Sequence, residues 1–247
     1  MRRPRICVAG FFTDDGTQVR PVIPYEGITE GFVSIEGRLI ATPFAELRFE
    51  FVRQTPDPPH TEDWEIDPSH RPELIRTLST EERRRFLRSH IDGSVDEICG
   101  TTIQEEKYVV KGHGHRSLGT ISPERISTVS YSEKEGGKWD YRLRFTDQAE
   151  REFNLAITDL TFRAACDYLM IQKEWNPDRI GQSLGRVLRQ REVYLRIGLA
   201  RGWEEHPDRC YLQVTGIYSF PDYLKGRTYG DLIWSENVFA GAGSIGD

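Results

Sequence analysis

The clearest pattern of apolar and polar positions lies between residues 192 and 226. Apolar residues alternate there with polar or small ones in two runs, which a polar segment at 202–209 separates. The alternating apolar residues are Leu195, Ile197, Leu199, Leu212 and Val214. Because alternation with a period of two is typical of half-buried strands, the stretch predicts an antiparallel hairpin with a longer loop.

The second face of this hairpin differs from the apolar one. It combines aromatic and polar residues with small ones, namely Tyr194, Arg196, Gly198, Ala200, Tyr211, Gln213 and Gly216. Small residues in a strand allow a ligand to approach the backbone closely. We therefore expect this face to contact a ligand.

The first 68 residues predict a small β-barrel. Two strands, at 5–12 and 18–23, are joined by Asp15-Gly16, a strong hairpin signal. Pro21 and Pro24 indicate that the second strand lies at an edge or a bulge. Further strands are expected at 38–42 and 47–51.

Residues 69–104 predict a helical linker. A short helix is expected at 72–78, and Ser79 with Glu82 forms a capping box that opens a second helix, ending near His90. Asp92-Gly93 then ends the helical pattern. The linker is expected to bridge two domains.

Residues 105–240 predict a second β-barrel region, followed by a flexible tail at 241–247. Strand patterns occur at 108–111, 125–131, 141–145 and 152–156, and amphipathic helices at 159–173 and 179–191. The predicted fold class is therefore β-rich α+β, with two small barrels linked and buttressed by helices.

Composition supports a globular protein: of the 247 residues, 37% are hydrophobic and 29% are charged. The net charge of −6 argues against a uniformly basic nucleic-acid-binding surface, so any polyanion is expected on a confined patch.

No apolar run reaches the roughly 18 residues of a membrane span. We expect a cytoplasmic protein without membrane contact. Four cysteines without a CxxC pair are expected to be buried thiols.

Two groups of residues admit catalytic or metal-binding interpretations. His113 and His115 point to the same side of a strand and could share a metal with a distant third ligand. The alternative is a glycine-rich turn in which Arg116 holds an anion. His60 and Asp63 could perform acid–base chemistry or form a polar strand edge. Because GxSxG, P-loop, HExxH and GxGxxG motifs are absent, we assign no catalytic residue, metal or cofactor.

Aromatic residues beside arginines favour binding of single-stranded nucleic acid. Bases stack on aromatic rings while basic groups follow the phosphates. The predicted binding residues are Arg20, Tyr25, Arg116, Tyr194, Arg196, Arg201, Trp203, Tyr211 and Gln213. The alternative for each aromatic residue is a half-buried barrel position whose polar group reaches water.

Six segments together carry a resemblance to a known family. They are RICVAG (5–10), VRPV (19–22), RSLG (116–119), TDL (158–160), YLRIGLAR (194–201) and LQVTGIY (212–218). In this order they resemble the prokaryotic dual OB-containing domain proteins. The resemblance implies two OB-like β-barrels and suggests nucleic-acid binding, for which OB barrels are commonly used.

The leading hypothesis is a non-catalytic module that binds single-stranded DNA or RNA and acts with a partner protein. The alternative is an adaptor that holds another protein on its barrel edges. An enzyme using His60 with Asp63, or His113 with His115, is the third reading. Two questions stay open: whether the ligand is DNA or RNA, and whether the hairpin face is open or covered by helix 179–191.

Overall fold

The structure is a computed structural model that describes residues 5–233. The predicted flexible tail, 241–247, lies outside the described residues. The helices are α1 (Thr80–Ser89), α2 (Val95–Cys99), α3 (Leu160–Lys173) and α4 (Pro177–Arg189). The strands are β1 (Gly10–Phe11), β2 (Gln18–Val22), β3 (Ser34–Ile35), β4 (Arg38–Leu39), β5 (Ala45–Arg48), β6 (Phe51–Gln54), β7 (Asp63–Ile66), β8 (Glu73–Thr77), β9 (Tyr108–Val110), β10 (Leu118–Ile121), β11 (Arg125–Lys134), β12 (Lys138–Thr146), β13 (Glu152–Ile157), β14 (Glu192–Leu199) and β15 (Arg209–Phe220).

The strands before α1 form the first group. Four of them make a sheet in the order β1-β2-β7-β6, and the other four pair as β3–β4 and β5–β8. The predicted hairpin of β1 and β2 is confirmed, with Gly16 at φ +71° in its turn. The core of this group is small and centres on Ile28, Val33 and Ile66.

Strand β2 lies between two strands only at its start, and the side that carries the nitrogen of Pro21 is the expected edge. It pairs with β1 on one side and, in parallel, with β7 on the other. Successive residues of a strand direct their N–H groups to opposite neighbours. Arg20 N donates to Glu62 O on the β7 side (2.7 Å), so the nitrogen of Pro21 faces β1, whose pairing ends at Gly10 and Val19. Pro21 therefore costs no ladder hydrogen bond.

The prediction of a short helix at 72–78 is wrong, because strand β8 occupies this segment. Its pairing with β5 joins Ala45 to Thr77 and is supported by an ion pair between Arg76 Nε and Glu46 Oε2 (2.8 Å). All five residues of β8 are exposed. A partner strand from elsewhere in the chain therefore decides the conformation of this segment.

Helix α1 confirms the predicted capping box. The Ser79 hydroxyl accepts from Glu82 N, the Glu82 carboxylate accepts from Ser79 N, and His90 is the C-cap. Side chains thus satisfy backbone donors that the helix itself leaves free. Helix α2, capped by Ser94, follows within the predicted linker.

The strands after α2 form one large sheet in the order β10-β14-β15-β13-β12-β11, with β9 also paired to β15. Its inner face and helices α3 and α4 enclose the main apolar core. Gly181 allows α4 to approach β11 closely, because a Cβ there would lie 2.5 Å from Val129 O. Across the described residues, the strand pairings do not close either group into a barrel. The protein is β-rich with few helices.

Candidate nucleic-acid interface

The predicted hairpin of β14 and β15 is confirmed, and a β-bulge divides it. Arg196 pairs with Gly216 and the next residue, Ile197, pairs with Val214, so Thr215 is the extra residue. The Thr215 hydroxyl donates to Arg196 O (3.2 Å). Because a bulge bends and twists a strand, the polar face has two ends with different surroundings.

The first end, at Tyr194, is covered by α1. Tyr194 is 2% exposed and clusters with Leu87 and Phe220, while its hydroxyl donates to Glu192 Oε1 (2.5 Å). Arg84 and Arg88 of α1 also donate to the Glu192 carboxylate. Helix α4, the cover considered from the sequence, packs against β11 instead. Tyr194 therefore joins α1 to the sheet.

Arg196 is buried between the two strand groups. It is 8% exposed, its guanidinium lies 5.0 Å from the centre of the Phe11 ring, and its Nη1 donates to Thr120 Oγ1 (3.2 Å). Burial lowers the pKa of the Arg196 guanidinium. The side chain is thus out of reach of an extended polymer on the surface.

Two other predicted arginines converge on one buried carboxylate. Arg20 Nε donates to Asp63 Oδ1 (2.6 Å), and Arg201 donates to the other oxygen of Asp63. Next to this pair, Ser117 Oγ donates to the Glu62 carboxylate. The bonds of Arg201 and Ser117 connect residues of the first strand group with residues after α2. Asp63 is therefore a structural ion-pair partner between the two groups.

His60 lies at the same junction. It is buried, and its Nε2 donates to Leu199 O (3.1 Å). Burial, together with the charges of Arg20 and Arg201, lowers its pKa to about 4. His60 is consequently neutral and hydrogen-bonded at neutral pH.

Arg116 and Tyr25 occupy two further places. Arg116 donates to Asp92 Oδ1 (2.7 Å) and to Ile98 O near the end of α2 (3.2 Å). Tyr25 is 98% exposed in a turn with φ +65°, so its ring contacts almost nothing. The structure brings neither residue into contact with the other end of the hairpin face.

That second end carries a stack of aromatic rings that is open to solvent. Trp203 lies almost parallel to Tyr211, at 12° and with centroids 5.2 Å apart, and Tyr211 neighbours Tyr108 of β9 at 5.5 Å. The Arg209 guanidinium lies 4.8 Å from the centre of the Tyr108 ring. Trp203 is 53% exposed. We call Trp203, Tyr211 and Tyr108 the aromatic stack.

The face continues from the aromatic stack across neighbouring strands. Gln213 is half-buried beside the stack, with Gly198 of β14 on one side and Ala156 of β13 on the other. Ala156 in turn pairs with Arg142 of β12, whose Nη2 donates to Asn154 O (2.7 Å). Gln213, Ala156 and Arg142 therefore lie in line across three neighbouring strands beside the aromatic stack.

One comparison with known proteins gives a match. A family model described as a dual OB-containing domain matches residues 1–217. The chain belongs to the dual OB-containing domain family. The resemblance seen in the sequence is confirmed, and with it a β-rich fold of the OB type. No curated protein and no solved structure matches the chain.

In this dual OB protein, three members of the open end were not predicted as site residues. Tyr108 and Arg209 contact the predicted Tyr211, and His206 lies beside Trp203 with ring centroids 6.1 Å apart. Tyr108 lies within a predicted strand, but only the antiparallel pairing of β9 with β15 places it opposite Tyr211. Sequence periodicity contains no signal for that pairing.

Three other expectations concern metal ligands, cysteines and membrane spans in this dual OB protein. Within residues 5–233, no group of three His, Cys, Asp or Glu side chains is placed to hold a metal ion. All four cysteines are free thiols; Cys99, Cys166 and Cys210 are buried as expected, whereas Cys7 is exposed. None of the described helices has the length and apolar character needed to cross a membrane.

Proposed function

We propose that this dual OB protein binds single-stranded nucleic acid at the open end of the β14–β15 face. The observation that carries the proposal is the half-exposed Trp203 ring stacked on Tyr211 beside Arg209. A base can stack on the free face of such a ring, which contributes about 1–3 kcal/mol per base. Rigid, pre-stacked rings lose little conformational entropy on binding.

The charges near the aromatic stack support a short, confined contact. Arg209 has no carboxylate within ion-pair distance among the described residues, whereas Arg144, farther along the face, pairs with Glu152 at 3.3 Å. Arg209 is therefore available to a phosphate. From Gln213 the line of paired residues crosses β13 to Arg142 on β12, a distance of about 10 Å for two strand spacings. This length suits one or two nucleotides.

The same proposal includes the division of the chain into domains and its location. We take residues 1–68 as the core of one OB-like barrel and 105–240 as the second, joined by 69–104, in a cytoplasmic protein. The pairing of β8 with β5 supports extending the first unit to about residue 78. The ion pair of Arg201 with Asp63 and the hydrogen bond of Ser117 to Glu62 support a fixed joint between the units.

The test measures the fluorescence anisotropy of labelled oligo(dT) and oligo(rU) of about 15 nucleotides, without a terminal phosphate, at low and high salt. We expect Trp203→Ala to weaken binding about 5- to 150-fold, which corresponds to one stacked base. Tyr25→Ala is the matched control, since it removes an exposed ring that stands apart from the stack, and should leave affinity unchanged. Absence of submillimolar binding by the wild type at low salt, for both DNA and RNA, contradicts the proposal.

The exposed strand β8 favours a second candidate function, a protein-interaction adaptor. Leu74 and Ile75 are 43% and 45% exposed on a strand that pairs only with β5 among the described strands. A free strand edge can accept a strand from another protein. Affinity capture after nuclease treatment distinguishes the two functions. An adaptor loses its partner with Ile75→Glu and keeps it with Trp203→Ala.

A further inference from the structure

A polar cleft of about 500 Å³ lies between the two strand groups, away from the aromatic stack. Its size falls within the range of small-molecule sites. Its walls come from the β1–β2 turn, the segment before β7, the segment after α1 and the loop before β10. The polar side chains that matter here are Thr17, Gln18, Gln54, His90, His115 and Arg116.

The charges around the cleft do not balance. Among the four arginines at this junction, Arg20 and Arg201 pair with Asp63, and Arg116 pairs with Asp92. Arg196 does not line the cleft but contacts Gln18, which does; it is almost completely buried and has no carboxylate within 4.0 Å in the described part of the chain. Its contacts are a hydroxyl, a carboxamide and the Phe11 ring. A buried charge without an ionic partner is costly, so this position favours an anion.

The carboxylates that line the cleft are already occupied. Asp92 accepts from Arg116 and from Thr120 N at 2.7 and 2.8 Å. Glu62 accepts from the Ser117 hydroxyl and lies 3.6 Å from Arg20 Nη2. Both carboxylates favour the charged form of Arg196 through space, but neither forms an ion pair with it.

Gln18 lies on the cleft wall between two arginines and can serve only one of them. In one orientation of its carboxamide the oxygen accepts from Arg196 Nη2 at 3.3 Å. In the other it accepts from Arg116 Nη1 at 3.3 Å while the nitrogen donates to Leu118 O at 2.9 Å. Two cationic donors thus share a single neutral acceptor, at a position where one anionic group would satisfy both.

We propose that the cleft binds a phosphate-bearing ligand no larger than a mononucleotide, whose anionic oxygens take the place of the Gln18 carbonyl between Arg196 and Arg116. Arginine donors suit phosphate because several N–H groups point at its oxygens together. Thr17 and His90 line the same cleft and can hydrogen-bond the rest of the ligand. The free phosphate monoester and a mononucleotide share this chemistry.

The test uses the whole chain in a phosphate-free buffer at constant ionic strength, with inorganic phosphate, AMP and adenosine as probes. Phosphate and AMP are expected to raise the Tm by about 2–4 °C or more at saturating concentration, and adenosine to leave it unchanged. Calorimetric titration measures the same binding directly. A response to AMP but not to phosphate identifies a nucleotide site, and equal responses identify a phosphate site.

The decisive variant is Gln18→Glu, which supplies a carboxylate between the two arginines. It should raise the Tm of the unliganded protein and abolish the response to phosphate and AMP. Gln54→Glu, on the same cleft but hydrogen-bonded to Thr61 O, is the matched control and should keep the response. Arg196→Met should also lose the response without loss of Tm, because it removes the buried charge.

Two outcomes overturn the proposal. One is a wild-type protein that shows neither binding heat nor a Tm shift with phosphate or AMP at about 10 mM. At this concentration even a site with a Kd of about 1 mM would be mostly occupied. The other is a Gln18→Glu variant that is destabilised and still responds to both anions. Binding of unphosphorylated oligonucleotides should be unchanged in Gln18→Glu, so failure here is distinguishable from failure of the proposed nucleic-acid function.

Discussion

The two ends of the β14–β15 face share one alternating pattern but have opposite environments. At the covered end, Tyr194 is buried against α1 and bonded to Glu192, and Arg196 is enclosed beside Phe11. At the open end, Trp203 and Tyr211 stack on each other and reach solvent. Aromatic residues next to arginines are therefore compatible with a structural joint and with a ligand surface on the same strands.

The arginines near the two ends differ in their partners and in their exposure; Arg196, at the covered end, has no ion pair among the described residues but is buried. Arg84, Arg88 and Arg201 bind carboxylates of this chain, so their charge is used inside the protein. Arg209 lies on a tyrosine ring and has no ion pair among residues 5–233. A free cation beside exposed rings is the arrangement that nucleic-acid binding requires.

The largest expected effect is the loss of stability in Tyr194→Ala. The change removes a buried ring from the cluster with Leu87 and Phe220 and one of the donors to Glu192. We expect the free energy of unfolding, measured with urea, to fall by about 3–5 kcal/mol. Trp203→Ala should change it by less than about 0.5 kcal/mol. Similar losses for both variants would show that the covered end and the open end contribute equally to stability, which contradicts the comparison.

The next effect concerns His60, at the junction between the two ends. Its folded-state pKa is about 4, below the unfolded value of about 6.5, so folding favours the neutral ring. The stabilisation is complete above about pH 6.5 and is lost as the pH falls toward 4, with a total of up to about 3 kcal/mol. His60→Gln should flatten the stability profile between these pH values. An identical slope in both proteins would assign the acid sensitivity to other groups.

The smallest effect is expected for Arg209→Gln at the open end. Removing one phosphate contact should reduce the slope of log affinity against log salt by about 0.7 for a single strand, with little change in stability. Arg48→Gln is the control, because Arg48 is exposed and already paired with Glu73. Equal slopes for the wild type and Arg209→Gln would remove Arg209 from the interface.

Local signals predicted much of the fold. The capping box at Ser79, the Asp-Gly hairpin turn and the alternation in β14 and β15 depend on neighbouring residues, and each appears in the structure. Strand β8 was misassigned because its conformation depends on β5, roughly thirty residues earlier in the chain.

The candidate site was less predictable, because its residues come together only through long-range pairing. Alternation indicates which side chains share a face, but not that α1 covers Tyr194 or that Tyr108 joins Tyr211. The junction around Asp63 depends on contacts between residues more than a hundred positions apart. Such contacts produce no periodicity.

The bulge at Thr215 has a consequence for changing this protein. On one side of it Tyr194 and Arg196 are buried, and on the other side Tyr211 and Gln213 are only half-buried. Substitutions at distant sites without shared partners usually have additive effects. Substitutions confined to Trp203, Tyr211 and Gln213 can therefore change the ligand while Arg201 and the rest of the joint stay as they are, which makes this hairpin a practical place to begin engineering a new specificity.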